Sequence, residues 1–242
     1  MQTLQSHSQL SRFARTAAGG QPAPCAASGR SGWRGRGWLA LCVVATLLSL
    51  VSFRYVLPHV PFPIRNSNFV LRRPWLVTHV VSASVALLVG PWQFLKRLRI
   101  ARRELHRRIG WVYVIAVVIG WISSIPVALH APSGVPAQAG YIVLGLAWII
   151  TTSLGLSTAI QGQFEEHRRW MTRSYALACG AITLRLILPV CLVSGMSFKH
   201  AEPLSVWACW IVNLCIAQYL LRAPGAGTKP TEAGSKAFAT SA

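Results

Sequence analysis

Two stretches of this chain set a histidine between acid and arginine at the head of an apolar run. They are ELHRRIGWVY at 104–113 and EEHRRWMTRSY at 165–175. Two imidazoles at one depth on different helices are the axial ligand set of a b-type haem, so His106 and His167 form a candidate pair, with Met171 as a fallback ligand. The same histidines with Glu165 and Glu166 would also suit a first-row metal. The neighbouring Arg107 and Arg168 would hold propionates or other anions through charge-assisted contacts. One such segment alone has a plainer reading. Acids at a helix N-terminus complement the macrodipole, and arginines anchor a span at the headgroups. Two copies favour a shared site.

The likeness extends upstream, where Gln93-Phe94 and Gln163-Phe164 each precede their histidine, the first copy carrying a basic insert between. This predicts two hairpins of the same orientation, related by an axis along the membrane normal, with His106 and His167 facing each other near it. The inner polar layer would gather Gln93, His106, Arg107, Gln163, Glu165, Glu166, His167 and Arg168, with Tyr113 nearby. A second layer follows from helical spacing. Arg185 lies about 27 Å up the helix from His167, and His79 sits at a similar outer depth on an inward-running span. His130, His59 and His200 are candidate company, with His130 the likeliest second ligand beside His79. No acid falls inside any predicted span. Arg185 must therefore meet backbone carbonyls, Glu202 in an outer loop, water or an anionic ligand such as a lipid phosphate, quinone oxygen or haem propionate. Snorkelling to the interface is its plain alternative. Gly90, Gly110, Gly120 and Gly180, with ten tryptophans, would suit a flat macrocycle between helices.

The elements that must position these residues are membrane spans. The chain is 53% hydrophobic and only 12% charged, about half the charge of an ordinary soluble domain. Windows of spanning length fall near 38–58, 74–94, 108–130, 139–161, 171–196 and 203–222. The expected fold is an all-α polytopic membrane protein, six transmembrane helices with a central four-helix bundle of two parallel-repeat hairpins. The net charge of +19 is a topology signal. Basic residues crowd the first tail, the 96–108 connection, the 168–173 segment and the last tail, which puts both termini in the cytoplasm. Membrane lipids are thus the evident partners, and nucleic acid is excluded.

Residues 1–37 and 223–242 have the composition of disordered tails around a 38–222 membrane domain. The Arg-rich start also resembles a mitochondrial transit peptide, which makes the mitochondrial inner membrane a minor alternative to a bacterial inner membrane. The six cysteines are scattered and read as buried thiols. Proton-driven transport is disfavoured by the lack of intramembrane carboxylates. No H-E-x-x-H, G-x-S-x-G or P-loop supports hydrolysis, and Thr151, Thr152, Ser153, Ser157 and Thr158 are better suited to hydrogen bonding between helices.

His79, LLVGPWQF (87–94), HRRIGWVY (106–113), HRRWMTRSYAL (167–177) and TLRLILP (183–189) occur in an order that resembles the bacterial multi-pass membrane family catalogued as domain of unknown function 2306. The resemblance covers about 75–195, leaving spans one and six outside. It implies that His79, Gly90, Gln93, His106, Arg107, Gly110, Tyr113, His167, Arg168, Trp170, Met171, Arg173, Tyr175 and Arg185 carry the family signature. It brings no activity with it. The residues themselves point to a His/Arg-lined intramembrane site for haem b or a redox metal, serving electron transfer or respiratory-oxidase assembly. Quinone or respiratory-chain proteins are then the partners. The alternative is a non-enzymatic binder or transporter of lipid or small molecules.

Overall fold

Pro91 lies inside a helix, where it can neither donate to the Leu87 carbonyl four residues back nor avoid crowding it. In the computed structural model that carbonyl is taken by Tyr175, whose hydroxyl donates to it at 3.1 Å from another helix. Gly90 makes room for the contact, since a Cβ there would overlap the Tyr175 ring. The LVGPWQF motif is therefore a docking point between helices.

The structure describes residues 29–53 and 67–222, with side chains from 37–53 and 73–222. Described residues from Ala40 onward belong to one compact unit, which contains everything considered below. Eight helices follow in order: α1 Gly29–Phe53, α2 Ser67–Gln93, α3 Lys96–Ala101, α4 Arg103–Ala128, α5 Val135–Ile160, α6 Phe164–Ala178, α7 Gly180–Val193 and α8 Phe198–Arg222. The basic insert forms the short helix α3. α1 begins at Gly29, inside the stretch expected to be a tail; the rest of that tail, His59 and the C-terminal tail lie outside the described residues.

Five helical stretches are long and apolar enough to cross a membrane: Arg73–Gln93, Arg103–Ala128, Val135–Ile160, Phe164–Val193 and Phe198–Arg222. The apolar part of α1, Gly37–Phe53, is shorter. The chain is thus an all-α polytopic membrane protein.

Its helices face inward with small and polar residues and outward with large apolar ones. On α4, Tyr113, Ala116, Val117, Gly120 and Ser123 are buried, while Trp111, Ile115, Ile119 and Ile122 are exposed. This is the pattern of spans packed in lipid, where close backbone approach replaces the hydrophobic drive. The hairpin partners α2–α4 and α5–α6 pack most extensively, and α4–α5 and α2–α6 close a four-helix ring. The two helices α4 and α6, which run in the same direction, are therefore diagonal, as a two-fold axis down the bundle requires. α8 packs against α5, α6 and α7.

The stretch Phe164–Val193 is interrupted at Cys179, which ends α6 and begins α7. Asn213 of α8 bridges the break, donating to the Ala176 carbonyl at 3.1 Å and accepting from the Thr183 hydroxyl at 2.9 Å.

Candidate functional site

The inner layer is set by one crossing contact. The Tyr113 hydroxyl and Ser174 Oγ hydrogen-bond at 2.8 Å, and Thr152 Oγ1 joins Ser174 at 2.7 Å. All three residues are buried. Tyr113 lies seven residues beyond His106, and Ser174 lies seven beyond His167. Seven residues are about two helical turns, so each histidine sits below its partner on the same face. α4 and α6 run the same way, so the contact brings His106 and His167 to one depth on diagonal helices.

Their rings are held differently. His167 Nδ1 is 2.7 Å from the Gly155 carbonyl on α5. A carbonyl only accepts, so the proton is on Nδ1 and the Nε2 lone pair is left available. That is the tautomer in which a histidine ligates, oriented by a backbone carbonyl. Nδ1 of His106 is buried without a hydrogen-bond partner. Gln93 donates to the His106 carbonyl at 3.2 Å, tying α2 to the start of α4. Met171, one turn beyond His167, packs its sulfur against Gly155.

The acidic residues beside these histidines do other work. Glu165 pairs with Arg168 at 3.0 Å, Glu166 with Arg169 at 2.6 Å and Glu104 with Arg108 at 3.0 Å, each within a helix and mostly exposed. Such pairs contribute about 0–1 kcal/mol. The expected use of Glu165 and Glu166 as metal ligands gives way to this pairing. Among the described residues no group of three or more His, Cys, Asp or Glu could hold a metal ion. Arg107 and Gln163 are exposed at the bundle end. The two Gln-Phe pairs also diverge: Phe94 packs on Tyr175 with ring centroids 5.6 Å apart, whereas Phe164 is 73% exposed.

The outer layer surrounds a cavity of about 740 Å³, lined among others by Ser52, His79, His130, Tyr141, Trp148, Arg185 and Glu202. His79 repeats the geometry of His167, with Nδ1 on the Gly120 carbonyl of α4 at 2.8 Å. Gly120 permits the approach, because a Cβ would stand 3.1 Å from Ser82 Oγ and 3.3 Å from the Trp148 ring. Gly90 and Gly120 are thus filled by protein instead of cradling a macrocycle. Gly110 and Gly180 keep room, their nearest neighbours being Gln93 Nε2 at 3.9 Å and Cys209 Sγ at 3.7 Å. His130 lies just beyond the end of α4, with Nδ1 on the Pro126 carbonyl at 2.9 Å. It lines the same cavity as His79. His200, bonded to Ser197, is exposed.

Arg185 donates to the Ala181 carbonyl at 3.1 Å and to Ser52 Oγ of α1 at 3.2 Å. Glu202, expected in a loop, lies within α8 and is 5% exposed. It accepts from the Ser133 backbone N–H at 3.1 Å and from the Tyr141 hydroxyl at 3.3 Å. A buried carboxylate therefore stands within Phe198–Arg222, a helix long and apolar enough to cross a membrane that begins before the predicted 203–222 window, and the ground for disfavouring proton-linked transport weakens. Ser52 and Tyr141 are site residues that the sequence reading passed over, and Glu202 was considered only as a loop partner for Arg185. One available signal was that Glu202 is among only five acids in the chain.

Fold and site together define a polytopic all-α membrane protein with histidine-bearing polar layers at both ends of its bundle. The family follows from comparison: residues 76–221 match the model of the predicted membrane protein family DUF2306, and the chain belongs to that family. The match runs through α8, beyond the span 75–195 on which the resemblance rested, and leaves α1 outside. No curated protein and no solved structure matches the chain.

Proposed function

We propose that this membrane protein holds a haem b between His106 and His167 and serves electron transfer or the assembly of a respiratory oxidase. The observation that carries the reading is the register of α4 and α6, fixed by the Tyr113–Ser174 bond seven residues beyond each histidine. Three features agree with it. His167 keeps Nε2 available while Gly155 holds its Nδ1. His106 has a buried ring nitrogen with no protein partner. Neighbouring helix axes lie about 8–10 Å apart, so diagonal ones lie roughly 11–14 Å apart, a span that two imidazoles and one iron can bridge. A haem needs two ligands where a bare metal needs more, so haem suits this donor set better.

When bound, the haem would supply one-electron chemistry; the chain's part is to orient His106 and His167 and exclude water behind Tyr113, Thr152 and Ser174. Arg107 and Arg168 stand at the membrane surface, where propionates would emerge. On this reading the protein sits in a bacterial inner membrane with cytoplasmic termini, and quinone or respiratory-chain proteins exchange electrons with it. A pyridine haemochrome assay on protein purified from haem-replete cells tests the proposal. About one haem b per chain supports it, and a haem-free preparation rejects it.

A second reading, a binder or transporter of lipid or small molecules, is favoured by the outer cavity, whose size falls in the range of small-molecule sites.

A further inference from the structure

The outer cavity contains no inner-layer residue, so its role can be argued without a haem; the inference rests on the second reading and names its ligand. The walls are largely apolar, with Leu76, Leu184 and Leu188 among them, and all three lie in membrane-spanning stretches. The polar groups combine a cation, Arg185, with a carboxylate, Glu202, and a histidine of fixed orientation. Gly120 holds the proton on His79 Nδ1, so Nε2 can only accept while the ring is neutral. Glu202 repels an anionic head in the low-dielectric surroundings where such repulsion is large. A neutral head that offers a hydroxyl to His79 and an oxygen to Arg185 complements the set. An aromatic head also suits the Trp148 and Tyr141 rings in the lining.

We propose that this cavity binds a membrane-soluble quinol, a hydroxyl-bearing aromatic ring on an apolar tail, with His79 as hydroxyl acceptor and Arg185 as donor. Ser52 of α1, a helix outside the family match, is the positioning residue for Arg185. Helix α1 thus completes a site on the family core: Ser49 donates to the Ser84 carbonyl at 3.3 Å, and Leu48 and Ser52 line the cavity.

The test is native mass spectrometry of the full chain in detergent, with decylubiquinol, decylubiquinone or dioleoyl phosphatidylglycerol added separately. The expected result is one retained quinol per chain, with quinol half-saturation raised tenfold or more in His79→Asn and in Arg185→Gln; the quinone, which has no hydroxyl for His79, should be retained more weakly than the quinol. Asn can still donate to the Gly120 carbonyl, so His79→Asn removes the Nε2 acceptor while keeping the helix contact. Ser52→Ala should raise half-saturation two- to fivefold, and Ser52→Thr should restore it. Retention of phosphatidylglycerol in place of the quinol, or quinol binding unchanged in both His79→Asn and Arg185→Gln, would overturn the proposal. Haem content does not enter this readout, so the two proposals fail independently.

Discussion

Tyr113 of α4 and Ser174 of α6 share a hydrogen bond of 2.8 Å across the diagonal of a four-helix ring. Ser174 is also bonded to Thr152 of α5, so three helices meet at one buried point. Interhelical hydrogen bonds in membranes are modest, averaging about 0.6 kcal/mol. Tyr113→Phe should therefore cost about 0.5–1.5 kcal/mol in a reversible unfolding titration in mixed micelles. Ser174→Leu should cost more, because it adds bulk at a closed position as well as removing both bonds. Equal stability of the two variants would contradict this account of the contact.

The Tyr175–Leu87 bond gives a sharper test, because its acceptor is left by a proline. Tyr175→Phe should lose about 0.5–1.5 kcal/mol in the native background. In a Pro91→Ala background residue 91 regains a backbone N–H for the Leu87 carbonyl, and the same change should cost measurably less. A double-mutant cycle showing no coupling between positions 91 and 175 would remove the argument. Gly90→Ala should cost about 1–3 kcal/mol by forcing the ring aside.

Much of the architecture is legible in the sequence because lipid demands long apolar helices. The predicted windows 74–94 and 139–161 fall within a few residues of Arg73–Gln93 and Val135–Ile160. The starts of α4 and of the Phe164–Val193 stretch were placed too late. Hydropathy counts apolar residues, yet Glu104, Glu165 and Glu166 occupy first helical turns, where the dipole favours them. Glu202 was misplaced for a related reason: its burial depends on Ser133 and Tyr141, which are distant in sequence. The depth match of His106 and His167 could be read from spacing, as could Pro91 freeing Leu87. The break at Cys179 could not, since no proline marks it and its bridging partner Asn213 comes from α8.

Asn213 offers a prediction of its own. Asn213→Ala removes both the donor to Ala176 and the acceptor for Thr183. The expected loss is about 1–2 kcal/mol, measured by thermal unfolding in detergent. Asn213→Asp keeps only the acceptor and should fall between the two. An Asn213→Ala protein as stable as the parent would show that the break needs no bridge.

The charge pattern predicts orientation. With native cysteines replaced, a cysteine at His200 should react with a membrane-impermeant maleimide in intact cells. One at Arg103 should react only after permeabilisation. The reverse labelling would invert the topology and place the inner layer on the outside.

The central claim concerns what lies between His106 and His167, and the absorption spectrum of purified protein before and after dithionite tests it most directly. The account predicts a Soret band that shifts on reduction, is lost in His106→Ala and in His167→Ala, and is kept in His79→Asn. Protein from haem-replete cells with no Soret band, or a band that survives both inner histidine substitutions, would contradict it.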